Sequence, residues 1–261
     1  MATKTVKKKS TNGAAPAYKN INILVKTWLL IKMTIEGLNR LVPRAMDAKV
    51  AEDIILKQMK MATKSTKEEA RDPVVEAKSG LYRFELDGYG SEVMGTKYGL
   101  KAVAQKKAVV RPFKTIDKYS MQDAKGGFHV MPAGKCWMDR DDLIPIISTP
   151  VKGLSFTEKQ IAEWTKLSEA EMLTLMEEEH KYGCSIREDI VRIQSGASIP
   201  RYRCEFNTWK IPFEVEYNSD WCSAEILYNA IDRAGREVGL GENRPEKSGD
   251  NWGTFRVADT K

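Results

Sequence analysis

The chain has 261 residues, 42% of them hydrophobic and 30% charged, enough to bury a proper core in one large domain or two small ones. No apolar run reaches the roughly 20 residues needed to cross a bilayer, and no apolar stretch follows the basic N-terminus as a secretory signal requires. The formal charge of +6 is uneven, because Lys4, Lys7, Lys8, Lys9 and Lys19 fall within residues 1–20 without an acid, leaving the remainder close to neutral. Cys136, Cys184, Cys204 and Cys222 are widely spaced with no CxxC pair, which predicts buried thiols in a reducing cytoplasm.

Residues 1–20 are expected to be a disordered basic tail, because they offer few apolar side chains to bury, and residues 21–261 a single domain. A strand is predicted from Lys26 to Glu36, with Leu29, Ile31, Met33 and Ile35 forming a wholly apolar face before Gly37 ends it. Asp47 can cap a helix through about Met61, with Val50, Ile54 and Met61 along one side. Residues 62–80 are charged and read as loop, and Leu81 to Leu86 as a short strand. The stretch from Gly95 to Val110 reads as a helix with Leu100, Val103 and Val110 buried. Gly126 and Gly127 mark a turn, followed by one or two strands over 128–147. Thr157 with Gln160, and Ser168 with Glu171, are capping-box patterns that predict two short inserted helices over 158–181.

The last part of the chain carries the clearest pattern. Tyr202, Cys204 and Phe206 alternate with Arg201, Arg203 and Glu205; after Asn207–Thr208 the parity shifts and Trp209, Ile211, Phe213, Val215 and Tyr217 take over the apolar face. Trp209 therefore reads as core. Ser223 can cap a helix with Ile226, Leu227, Ala230, Ile231 and Ala234 inward, and Gly235 is expected at its left-handed end. A glycine-rich loop, Gly239 to Gly253, precedes a closing strand from Trp252 to Val257.

Charge is concentrated where it can meet a polyanion. Lys97, Lys101, Lys106, Lys107, Arg111, Lys114 and Lys118 face the single Asp117, whereas Glu163 to Asp189 is rich in acid. On the helix reading, Lys97 and Lys101 share one face. In the loop, glycines let backbone amides approach phosphate, and Arg244 and Lys247 add donors. Its helix-to-strand order excludes a Walker loop and a dinucleotide fingerprint, both of which run strand to helix. A long turn with helix-stop glycines is the plainer alternative. His129, between Phe128 and Val130, reads as a strand residue, and His180, after Glu177 to Glu179, as a surface residue of an acidic helix. Asp139, Asp141 and Asp142, interrupted by Arg140, read as a charged turn. No catalytic residue, metal site or cofactor is predicted.

A helix, then a G-x-G-x-x-R loop at Gly239, Gly241 and Arg244, then a strand with G-x-F-x-V at Gly253, Phe255 and Val257, resembles the C-terminal signature of the RAMP superfamily, the RNA-binding and processing subunits of CRISPR complexes. Arg201, Arg203, Phe206 and Trp209, followed by the same loop, also resemble a group of uncharacterised tailed-phage proteins. Where the superfamily usually has Gly-Phe-Gly, this chain has Asp250, Asn251 and Trp252. The resemblance implies an α+β fold with a ferredoxin-like (RRM-type) βαββαβ core, decorated by helical insertions near 48–61 and 158–181. It implies sequence-tolerant binding of single-stranded RNA or DNA, RNA favoured, possibly as a homo-oligomer or beside other ribonucleoprotein subunits. The contacts would be Gly239, Gly241, Arg244, Lys247, Gly249 and Gly253 in the loop, Lys97, Lys101, Lys106 and Lys107 on phosphates, and Arg201 and Arg203 on the sheet. A protein–protein module of phage origin, docking onto or interfering with a CRISPR-type complex, and a histidine-dependent endoribonuclease are the alternatives.

Overall fold

The computed structural model describes residues 27–45, 55–56, 58–59, 72–83, 97–116, 118–135, 142–151, 176–192, 196 and 198–258. The tail, Cys136, and most of the helices expected over 48–61 and 158–181 lie outside the described residues. In chain order the elements begin with β1 (Trp28–Gly37), α1 (Pro73–Ser79), β2 (Tyr82–Arg83), β3 (Tyr98–Lys101) and α2 (Ala102–Val110), which runs into a 3-10 turn (Arg111–Lys114). They continue with α3 (Met121–Gly127), β4 (Phe128–Met131), β5 (Gly134–Lys135), β6 (Asp142–Pro145), β7 (Ile147–Ser148) and α4 (Glu177–Lys181). The last are β8 (Cys184–Arg192), β9 (Ser198–Phe206), β10 (Trp209–Asn218), α5 (Ala224–Glu237), α6 (Pro245–Ser248) and β11 (Phe255–Val257). The protein is mixed α+β with antiparallel sheets.

The main sheet has the order β11–β1–β10–β4, with β7 also pairing to β10, and every pair is antiparallel. Register puts Ile31, Met33 and Ile35 opposite Val215, Phe213 and Ile211, and Val130 on the far side of Val215, so the inward residues of the sheet share one face. Helices α2 and α5 cover that face. The inner stripe of α5, Leu227, Ala230, Ile231 and Ala234, is fully buried, and Ser223 caps the helix by accepting the Ile226 amide at 3.3 Å. Trp209 is core, as expected, and its indole N–H donates to the Asn39 carbonyl at 2.7 Å. The opposite face presents Trp28, Leu30, Met131 and His129 together with ion pairs of Lys32 to Glu214 and of Lys210 and Arg256 to Glu36. A second sheet, β2–β3–β6–β5, and a two-stranded ribbon, β8–β9, complete the described strands.

Several local expectations change. The helix anticipated from Gly95 starts only at Ala102, because Tyr98 to Lys101 pair with β6 and bury Tyr98 and Leu100. Strand pairing outweighs the helix propensity of this Lys/Ala-rich stretch. Lys97 and Lys101 thus share no helix face, and Val103 points to solvent. Within 62–80, residues 73–79 are helical. The Asp72 carboxylate caps α1 by accepting the Val74 and Val75 amides at 2.8 and 3.1 Å, and Pro73 supplies a preset first turn. Gly126 and Gly127 end α3 and are not themselves a turn. The parity shift at Asn207–Thr208 is real, but it marks passage between sheets: β9 pairs with β8, and β10 with β1 and β4. Gly235 lies inside α5, where a methyl group would overlap the Phe255 carbonyl; the helix turns instead at Gly239, φ 69°. Among the described residues no helix is long and apolar enough to cross a membrane.

Candidate functional site

Helix α2 buries Gln105, Ala108 and Val109 and turns Lys106 and Lys107 outward. Next to it, α5 stops at Val238, Gly239 reverses the chain, and Leu240 tucks into the core at 2% exposure. Between the helix and the loop runs a groove of about 740 Å³. Its charged lining is Lys101, Lys106, Lys107, Arg111, Lys125 and Arg244, with Glu246 as the one acid. That acid is already matched: Arg111 Nη2 lies 2.8 Å and Arg244 Nη2 3.4 Å from its oxygens. Arg244 Nη1 also donates to the Gly241 carbonyl at 3.1 Å, which holds the guanidinium at the groove wall. The groove is strongly positive, and its cations come from β3, α2, the 3-10 turn, α3 and the loop.

The glycine loop serves packing more than amide display. The amides of Gly239, Leu240, Glu242 and Gly253 donate to the carbonyls of Ala234, Gly253, Val42 and Arg40 at 2.9, 3.0, 2.9 and 2.6 Å. Gly253 has φ 64° and sits so close to the Leu240 carbonyl that a Cβ would overlap it. These amides are therefore closed to a phosphate, while the Gly241 amide has no backbone partner among the described residues. Lys247 and Gly249 lie on and just after α6, both exposed and outside the groove lining.

Lys97 stands apart, with its ammonium 3.7 Å from the buried Glu179 carboxylate and over the Tyr98 and Tyr182 rings. Lys78 contacts the same carboxylate at 3.1 Å, as does the Tyr98 hydroxyl at 3.2 Å. Burial, and next the Glu179 charge, push the Tyr98 hydroxyl well above its ordinary range. Arg203 is held in an ion network. Its Nη1 lies 2.9 Å from Asp189, and its Nε 2.8 Å from Glu242 in an ion pair not aligned as a hydrogen bond. Arg44 completes the Glu242 contacts at 3.2 Å. Arg187 and Arg40 share Glu205 and lie 4.6 and 5.8 Å from the Trp252 ring centre, so the tryptophan clamps the loop to the β8–β9 ribbon. Arg201 has no ion pair among the described residues and lines a second cavity of about 520 Å³ with Arg44, Arg203 and Lys101.

At the β4 end, Lys106 Nζ lies 3.1 Å from His129 Nδ1, and the imidazole stacks on Trp28 at 5.4 Å. Burial and the Lys106 charge hold the imidazole below its ordinary value, and burial lowers Lys106 as well. A charged Lys106 ammonium can only donate to Nδ1, an arrangement that places the proton of the neutral ring on Nε2. His180 is buried at 2% exposure and not on the surface, because α4 packs its end beneath the chain at Val151. Among the described residues no cluster of three or more His, Cys, Asp or Glu side chains can hold a metal. Cys184, Cys204 and Cys222 are buried free thiols.

The structure thus gathers Gly239, Gly241, Arg244, Lys101, Lys106 and Lys107, leaves out Lys97, Lys247, Gly249 and Gly253, and puts Arg201 and Arg203 in the second cavity and not in the groove. Lys125 and Arg44 carry no sequence signal, since each is a lone cation in an unremarkable stretch. Arg111 is visible in the basic run but takes its role from the 3-10 turn that follows α2. No family model matches the chain, and no curated protein matches it.

Proposed function

We propose that this protein binds single-stranded nucleic acid, RNA favoured, with little sequence preference and without chemistry of its own. The observation that carries the reading is the groove between α2 and the loop, where six basic side chains converge and the one acid is already paired. Lys and Arg side chains, more than loop amides, supply the phosphate contacts, so affinity falls steeply with salt. The ferredoxin-like βαββαβ reading draws support from strand order. The last strand lies beside the first, the first beside β10, and β10 beside β4, with α2 and α5 as the two crossover helices on one face. The same order supports the kinship with RAMP subunits. Lys107→Ala with Arg244→Ala should lower affinity for single-stranded RNA at least tenfold and flatten the salt slope by about 1.4, two contacts at ~0.7 each. Unchanged affinity in a filter-binding titration would refute the reading.

One observation favours protein docking as a second reading. The open sheet face pairs its own charges and exposes Trp28 at 37%, Leu30 at 53% and Met131 at 37%, which suits a subunit contact better than a phosphate chain. In the CRISPR-type assembly that the resemblance implies, that face would meet a neighbouring subunit. Size-exclusion chromatography after nuclease treatment separates the two, since a surviving protein complex favours docking.

A further inference from the structure

The 740 Å³ groove does not end at Lys101. That side chain lines both the groove and the 520 Å³ cavity on the other side of the loop. Gly241 walls the first and Glu242 the second, so a single turn of backbone is all that divides them. Lys101 is the last residue of β3 and the N-cap of α2, with φ −60° and ψ 125°, an extended backbone that stands it on the ridge between the two concavities.

The cavity has the chemistry to hold a phosphate. Two acids line it, the half-buried Glu76 and the buried Glu242; Glu242 is neutralised by Arg44 and Arg203, and Arg203 is committed further to Asp189. Arg201 is half-buried and forms neither an ion pair nor a side-chain hydrogen bond among the described residues. A half-buried guanidinium with its donors uncommitted among the described residues is a ready phosphate ligand, because its planar fork is only partly hydrated. Tyr82 and Tyr202 also line the cavity, with Lys101 Nζ 5.0 Å from the Tyr82 ring centre.

We propose that the second cavity continues the groove, so that one nucleic-acid strand crosses the Lys101 ridge and places a downstream phosphate on Arg201. This rests on the groove being the nucleic-acid site. It adds a longer footprint and a contact that only a longer ligand reaches.

The test compares oligouridylates of about four and about twelve nucleotides by fluorescence anisotropy, within the usual range of single-strand site sizes. The unmodified protein should bind the longer oligomer more tightly than its extra registers alone explain. Arg201→Ala should leave the short oligomer unaffected, weaken the long one about tenfold, and reduce its log–log salt slope by about 0.7. Arg201→Lys should restore the slope, since it keeps the charge. Loss of affinity equal on both lengths, or no loss on either, overturns the proposal. Groove variants Lys107→Ala and Arg244→Ala must weaken both lengths. If they weaken neither, the groove reading falls, and the two failures are thereby told apart.

Discussion

Gln105 offers a test of the packing that supports the groove. It is 0% exposed on the inner face of α2, on the same helical stripe as Ala102 and Val109, and among the described residues neither its amide nitrogen nor its amide oxygen has a hydrogen-bond partner. Burying such an amide uncompensated costs about 1–3 kcal/mol. Methionine matches the side chain in length and in helix propensity, so Gln105→Met removes the polar cost without opening a cavity or straining the helix. The expected gain is about 1–2 kcal/mol. For a chain of this size each kcal/mol raises Tm by about 2–4 °C, which puts the shift at about 2–8 °C. Urea denaturation, followed by fluorescence and circular dichroism so that coincident transitions support a two-state treatment, measures it. Nucleic-acid affinity should not move, because Lys106 and Lys107 leave the opposite side of the helix. A variant that is neutral or less stable would show that the amide is satisfied inside the core, and the desolvation reasoning would fail.

Two further predictions follow from the loop and from the β4 end of the groove. Gly253→Ala should destabilise by more than about 2 kcal/mol, because it combines a left-handed backbone with overlap on the Leu240 carbonyl, whereas Gly249→Ala, left-handed at φ 75° but in open space, should cost about 1 kcal/mol. Comparable thermal shifts for the two would contradict this account. His129 is held below its ordinary value of 6.5 in the fold, so the unfolded chain binds the extra proton first as pH falls. Stability should therefore drop on acidification from 6.5 down to the folded midpoint and be complete above 6.5. An NMR titration of the His129 ring should give a midpoint below 6.5, and Lys106→Ala should raise it; a midpoint at or above 6.5 would remove the Lys106 contact from the account.

Much of the last third of the chain was legible because period and capping agreed there. The strand alternation across Trp209 to Tyr217 and the Ser223-capped stripe of α5 needed no partner to be read. The error at Gly95 to Val110 has the opposite cause. Tyr98 to Lys101 carry no strong strand pattern and become a strand only because β6, more than forty residues away, pairs with them. The same holds for β9 and β10. The parity shift between them does not say which strands each will pair with: Phe206 forms a bridge to Leu41 and Cys184 pairs with Phe206, contacts that no local window contains. In the site, the basic run and the glycine loop were visible separately, and their meeting was inferred only through the resemblance. Hidden from sequence was the loop's own bonding, since an amide taken up by Val42 or Arg40 looks the same in a string of letters as a free one.

The closure of that loop at its base has a consequence for how the protein can change. The Leu240 amide to Gly253, Glu242 to Val42 and Gly253 to Arg40 tie both ends of the excursion to one place. What lies between them, including α6, is a graft on a fixed stem. Lengthening it adds only the slow logarithmic entropy of a longer loop, about 0.6 kcal/mol per doubling. Residues 245–251 can therefore be replaced by design to alter what the groove grips while the stem keeps its geometry.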